Sequence, residues 1–289
     1  MRIPIPPVRL PDHLVEVARE YAEGRREPAE PRNAATVILL RPSADGPAVY
    51  YLRRQVSMEF AGGMCVYPGG GVDPRDFDAA VAWAGPSPAE WAVRLGCDEE
   101  MARALVCAAV RETFEESGVL LAGPHEDEVV ADTTGADWEA DRVALESREL
   151  AMTDFLTRRG LVLRTDLLGV WAAWLTPVFE PKRYRTWFFV ALLPEGQRTR
   201  DVSSESSEVT WLPARDAVAG ADHGEMLMMP PTYLTSLDLT RYADPAAVVA
   251  AAHERTVEMH TPGLEALDDG WTLSIPEHLR PVLAAHHGS

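Results

Sequence analysis

Residues 108–120, AAVRETFEESGVL, place Glu112, Glu115 and Glu116 within about one turn of any helix formed there. Side chains three and four residues apart share a helix face, so the three carboxylates crowd one side with only Arg111 nearby. Like charges at these spacings cost roughly 0.2–0.5 kcal/mol per pair, and an unaided helix gains nothing in return. Either Arg111 and solvent tolerate the crowding or a divalent cation sits against it. The pattern predicts a long helix from about Asp98 to Ser117, with Gly118 as its C-terminal stop.

Upstream stands YPGGGVDPRD, residues 67–76. Gly69, Gly70 and Gly71 let a backbone turn tightly and approach a ligand with no Cβ in the way. Alone, such a run is explained as well by a turn as by a site. Beside a carboxylate-rich helix it can offer carbonyls and amides while the helix offers oxygen ligands to a metal.

Around these two features the chain alternates between β-rich and helical patterns. Residues 12–23 read as a short amphipathic helix. The runs 34–41 and 48–54 read as strands joined by SADG in a hairpin, and 64–68 as a third strand entering the glycines. Residues 77–97 read as a helical insertion, and 123–160 as acidic and helical. Strands are expected at 169–177, 186–194 and 209–213, and helices at about 214–219, 230–239, 245–254 and 276–285. The pattern predicts an α/β chain, of the α+β kind, with a mixed sheet sandwiched between helices and helical additions. One domain is expected over residues 1–289.

At this point the sequence resembles the Nudix hydrolases. Their signature is a glycine, five residues, a glutamate, seven residues, then Arg-Glu-apolar-x-Glu-Glu-x-Gly-apolar. Its second half matches Arg111-Glu112-Thr113-Phe114-Glu115-Glu116-Ser117-Gly118-Val119, with Thr113 at the apolar position. Its first half matches Gly70, five intervening residues, then Asp76 in place of glutamate. Between Asp76 and Arg111 lie 34 residues (77–110), so the box is interrupted. A subgroup with such an interruption includes animal peroxisomal acyl-coenzyme A diphosphatases. Resemblance to it extends through residues 52–73, 174–197, 205–212 and 230–237, covering roughly 33–240 and leaving 241–289 as a helical C-terminal extension.

The resemblance implies metal-dependent hydrolysis of a diphosphate linked to another moiety, most closely in coenzyme A or an acyl derivative. ADP-ribose, a dinucleotide or a nucleotide sugar are the alternative substrates, and a non-catalytic nucleotide-binding module is a further alternative. Hard oxygen ligands suit Mg²⁺ or Mn²⁺. Glu112 and Glu116 can share a metal, Glu115 can ligate directly or through water, and by resemblance the carbonyl near Gly70 completes the set. Arg111 is placed to pair with Glu115 and orient the carboxylates. Asp76 is either an outer metal ligand or a loop-stabilising group, with Asp73 the weaker alternative. For a general base, Glu205 and Glu208 are the candidates on a later loop, Glu205 slightly favoured, and Glu112 is the third. Arg53, Arg54 and the cluster Lys182, Arg183 and Arg185 are candidate substrate cations, with Gly69, Gly70 and Gly71 as the backbone cradle. The segment 58–64 is the candidate lining for a pantetheine channel.

Composition narrows the partners. A net charge of −18 argues against bulk binding to nucleic acid or an anionic membrane, which needs a basic face. It leaves room for an anionic small molecule in a local positive pocket. Cys65, Cys97 and Cys107 form no CxxC pair and read as free thiols. Neither a secretory leader nor an apolar run of the ~20 residues needed to span a membrane is visible, so a cytoplasmic protein is expected. Relatives often pair, which makes a homodimer an open expectation. Trp171, Trp174, Trp187 and Trp211 sit in strand patterns and are read as core. The eight histidines show no ligand spacing.

Overall fold

The computed structural model describes residues 7–57, 61–204 and 206–288. After helix α1 (Asp12–Ala22) comes the hairpin β1 (Arg32–Ser43) and β2 (Gly46–Arg54), paired antiparallel from Leu40↔Val49 to Ser43↔Gly46. Strand β3 (Cys65–Val66) pairs with the far end of β2. Strand β4 (Gly69–Gly71) runs antiparallel to the first half of β1, in the space β2 leaves as it diverges. The glycine run is thus built into the sheet.

The insertion is mixed, not purely helical: a 3₁₀ turn at Pro74–Phe77, strand β5 (Trp83–Ala84) and helix α2 (Pro88–Leu95). Helix α3 (Glu99–Ser117) follows, with Asp98 as N-cap and Gly118 in the left-handed conformation at φ 73°. Next come β6 (Ala122–Gly123), α4 (Ala136–Glu146), α5 (Met152–Arg159) and β7 (Val162–Arg164). A second, small sheet of order β5-β7-β6 docks the insertion against this region. Its partners are separated by many residues, so local pattern could not reveal β5.

Strands β8 (Leu168–Leu175), β9 (Tyr184–Leu192) and β10 (Ser206–Pro213) complete most of the main sheet. Helices α6 (Ala214–Asp222), α7 (Pro230–Leu239) and α8 (Pro245–His253) follow. The C-terminal stretch holds helices near the expected positions, α8 and α9 (Arg280–His287). It also contains β11 (Met259–His260) and a hairpin of β12 (Leu264–Leu267) and β13 (Gly270–Leu273), which the helical expectation missed. That hairpin receives the N-terminal segment, since Leu10 N donates to Trp271 O at 2.7 Å. The main sheet has the order β10-β2-β1-β9-β8-β11, with β1–β9 and β8–β11 parallel and the other pairs in that order antiparallel.

Period-two alternation divides the core. Ala35, Val37 and Leu39 of β1 face α3 (Leu105, Val106, Ala109 and Val110), whereas Ile38 and Leu40 face the α6, α7 and α8 side. Strand β9 follows suit, with Phe189 on the first face and Phe188 and Val190 on the second. Trp171, Trp174 and Trp187 are buried, and Trp211 is partly buried beneath Arg41. Helix α3 is buried nearly all round. Thr113 tolerates full burial because its hydroxyl donates to Ala109 O at 2.7 Å. Among the described residues, no helix is long and apolar enough to cross a membrane.

Asp98 Oδ1 accepts a hydrogen bond from Met101 N at 2.7 Å, holding the start of α3. Replacing Asp98 with Ala is expected to cost about 1 kcal/mol of stability. Urea denaturation should show a lower midpoint with an unchanged slope.

Candidate active site

Three consecutive glycines each make a different contact with α3. Gly69 N donates to Glu116 Oε2 at 2.7 Å. Gly70 lies under Glu112, whose carboxylate carbon would be 2.6 Å from a Cβ at that position. Gly71 O accepts from Arg111 Nη2 at 3.0 Å. Gly69 has no room for a side chain on its other flank either, with Ala35 O 2.6 Å from a built Cβ. Glycine is needed here for close approach, not for a positive φ. The interrupted halves of the box therefore meet in space.

Arg111 joins them. Its Nε donates to Asp76 Oδ1 at 3.1 Å and its Nη2 to Asp76 Oδ2 at 2.9 Å, a bidentate pair with both residues buried. Nη1 donates to Glu112 Oε1 at 2.8 Å and to both Glu115 oxygens at 3.2 Å. Asp76 also accepts from Asp73 N at 2.8 Å, closing a capping box on the 3₁₀ turn. Both Asp76 oxygens are thus engaged, the geometry expected of the loop-stabilising alternative. Asp73 turns to Arg75, whose hydrogen bonds hold its carboxyl down at about 2.

Burial pushes the Glu115 carboxyl up to about 7, the neighbouring charge of Glu112 adds to the rise, and Arg111 opposes it. Glu115 and Glu116 are buried, at 7% and 8% exposure. Every donor here is a carboxylate or carbonyl oxygen, and Gly70 has no Cβ to fill the cradle beneath Glu112. The set fits a hard divalent cation by chemistry. Among the described residues no three His, Cys, Asp or Glu side chains close around one point. Arg111 engages Glu112 and Glu115, and the Gly69 amide engages Glu116, so a cation would have to displace such contacts.

The other candidates are dispersed. Arg53 is exposed and lies 3.5 Å from Glu208 across the β10–β2 pairing, which leaves Glu208 in a surface ion pair. Arg54 closes β2, its amide bonded to Met64 O. Glu205, and residues 58–60 of the expected channel lining, lie outside the described residues. Lys182 is exposed. Arg183 corrects its expectation: it is 6% exposed, and its guanidinium donates to Thr176 O at 3.1 Å and Ala29 O at 3.0 Å. It ties the connector before β1 to the β8–β9 turn instead of facing a phosphate. Arg185, half-buried, pairs with exposed Glu30 at 3.1 Å. Register places it beside Asn33, one strand from the glycines.

Two residues escaped the sequence reading. Arg142 of α4 donates to Glu115 O at 2.7 Å, and Asp201, before β10, lies close enough that its charge and that of Glu116 both add to the burial that raises the Tyr50 phenol. Neither carries a local signal, since each acts on a residue distant in sequence. A groove of about 620 Å³ along α4 and α5, lined by Trp138, Asp141 and Arg159 among others, includes none of the box residues.

The family profile described as the NUDT19 Nudix domain matches residues 97–239, just under half of the chain. A Caenorhabditis elegans protein named as nudix hydrolase 7 is 26% identical over 218 residues, 74% of this chain and 62% of that protein. The match thus spans less than two thirds of that relative. The crystal structure of a NUDIX hydrolase from Alicyclobacillus acidocaldarius superposes with a TM-score of 0.67 at 26% identity, covering 80% of this chain and 99% of that one.

A carboxyl whose pKa is higher folded than unfolded binds a proton on folding, so stability falls as pH rises between the two values. For Glu115 that window runs from the ordinary 4.5 to about 7. In EDTA the melting temperature should therefore drop across this range, and Glu115→Gln should flatten the slope. Calorimetry at stepped pH measures both, and a wild-type melting temperature that rises through the window would exclude this assignment.

Proposed function

We propose that this Nudix hydrolase cleaves the diphosphate linkage of a nucleoside-diphosphate derivative, with coenzyme A or an acyl-coenzyme A as the preferred substrate and Mg²⁺ or Mn²⁺ as cofactor. The observation that carries the hydrolytic reading is the contact of Glu112 and Glu116 with the Gly69–Gly70 backbone, despite the insertion between them. Degenerate binding modules would be expected to lose such carboxylates, and this chain keeps Glu112, Glu115 and Glu116. Support for coenzyme A comes from the sequence resemblance to the interrupted-box diphosphatases.

In this reading Glu112, Glu116 and the carbonyl near Gly70 hold the cation, with Glu115 as a direct or water-mediated ligand. When bound, the cation offsets the charge of the diphosphate and makes the attacking water more acidic. Arg111 keeps Glu112 and Glu115 oriented. The proton of the water passes to a carboxylate, Glu205 or Glu112 of the helix. Glu208, held in an exposed ion pair with Arg53, is the less favoured candidate. Arg53, Arg54 and Arg185 serve as cations for the substrate, and the narrowing of the cluster by Arg183 leaves Arg185 as its principal phosphate donor.

Glu116→Gln is expected to leave the fold intact and lower turnover by orders of magnitude, because a neutral amide is a poor ligand for a hard cation. Wild-type turnover of that variant at saturating Mg²⁺, followed by product mass, would remove the assignment. In a panel of diphosphates, coenzyme A should exceed dephospho-coenzyme A and ADP-ribose by about ten- to a hundredfold, the worth of one charge-assisted contact at roughly 1.5–3 kcal/mol. Arg185→Gln should shrink that margin while sparing the chemical step. Equal cleavage of all three substrates by the unmodified protein would refute the preference.

A further inference from the structure

Helix α3 ends with Glu115 and Glu116 in its last turn, where the macrodipole already presents partial negative charge, and that turn has no basic residue. Its terminal carbonyls also need donors. Both needs are met from outside the helix. Arg142 is 3% exposed, and its Nη1 donates to Glu115 O at 2.7 Å. Arg200, on the connector between β9 and β10, gives its amide to Ser117 O at 2.9 Å. Its guanidinium crosses Gly118 so closely that a Cβ there would lie 2.7 Å away.

The two arginines are linked through α4. Glu139 accepts from Arg142 Nε and Nη2 at 2.9 and 2.7 Å, and its other oxygen accepts from Arg200 Nη1. Glu146 accepts from Arg142 Nη1 at 3.0 Å, and its other oxygen takes Ser204 N at 2.9 Å and Ser204 Oγ at 2.7 Å. The connector is pinned a second time from β2, where Tyr50 Oη donates to Arg200 O at 3.0 Å. Asp201 lies between the pinned residues Arg200 and Ser204.

We propose that Arg142 is a positioning residue which, through Glu139 and Glu146, locks the 200–204 connector onto the last turn of α3, so that Glu115, Glu116 and Asp201 keep a fixed relation. The proposal rests on the reading of α3 as the catalytic helix. Arg142 suits the task because its planar fork serves the Glu115 carbonyl and two carboxylates at once, which a lysine ammonium would do poorly. Loss of such supporting contacts around a metal site typically costs 10–100-fold in metal affinity or activity.

The test uses the full chain as wild type, Glu146→Gln, Ser204→Ala, the double variant and Arg142→Lys. Glu146→Gln leaves Arg142 paired with Glu139, and Ser204→Ala removes a single hydroxyl, so neither depends on rebuilding a core. Three readouts are taken: kcat and KM on the best diphosphate substrate, Mn²⁺ affinity by electron paramagnetic resonance, and amide exchange of the metal-free protein. In Glu146→Gln and Arg142→Lys, kcat should fall tenfold or more with KM within about twofold, Mn²⁺ affinity should weaken by a similar factor, and exchange should rise together in 115–118 and 200–204. The double variant should lose less than the sum of its single changes. Additive losses, or faster exchange confined to the connector with kcat and Mn²⁺ affinity at wild-type values, would overturn the proposal. If the wild type cleaves no diphosphate, the functional reading fails, while exchange and Mn²⁺ titration still decide this one.

Discussion

One guanidinium holds the site together. Arg111 contacts Asp76, Gly71 O, Glu112 and Glu115, so four acceptors from a glycine turn and an acidic helix converge on a single buried cation. Carboxylates packed this tightly repel one another, and burial strengthens both that repulsion and the attraction that offsets it. Removing one partner from a buried pair leaves an uncompensated charge and commonly costs about 3–5 kcal/mol. Arg111 is therefore a condition of the fold at this site.

The same contact explains how the chain accommodates 34 residues (77–110) between Asp76 and Arg111. Once the two ends are bridged in space, the intervening chain can leave and return without moving the site. It is then anchored elsewhere: Trp187 Nε1 donates to Leu95 O at 2.9 Å, Val257 N donates to Arg94 O at 3.1 Å, and β5 pairs with β7. The insertion and the Val257 segment that follows α8 are thereby joined to the side of the sheet that carries α3, while α8 itself packs on the other face.

Charge is distributed with similar care. The chain is strongly acidic, and several of its arginines are spent on internal acceptors: Arg183 on two carbonyls, Arg142 on α3 and α4, Arg255 on Asp238 and Trp171. Fewer cations are then left to meet a substrate than a count of arginines would suggest. Arg185, near the glycine strand by register and only half-buried, stands out among those that are left.

By itself the sequence determined whatever depends on short spacing. The i, i+3 and i, i+4 separations fix Glu112, Glu115 and Glu116 on one helix face, Gly118 stops that helix, and the β-rich runs at 34–41 and 186–194 mark two strands of the sheet. The signature residues also announced that Gly70 and Glu112 would meet. Tertiary structure alone decided the rest. Asp76 could serve a metal or a loop until Arg111 occupied both its oxygens, and Arg183 looked like a phosphate donor until two distant carbonyls claimed it. Strand β5, Arg142 and Asp201 were illegible for the same reason, whereas the β12–β13 hairpin pairs neighbouring residues across Asp268 and Asp269 and carried a local turn signal in Asp269-Gly270. A helix face is set by a backbone repeat within one segment, but the partner of a guanidinium or an edge strand is set by which remote segments the folded core brings together.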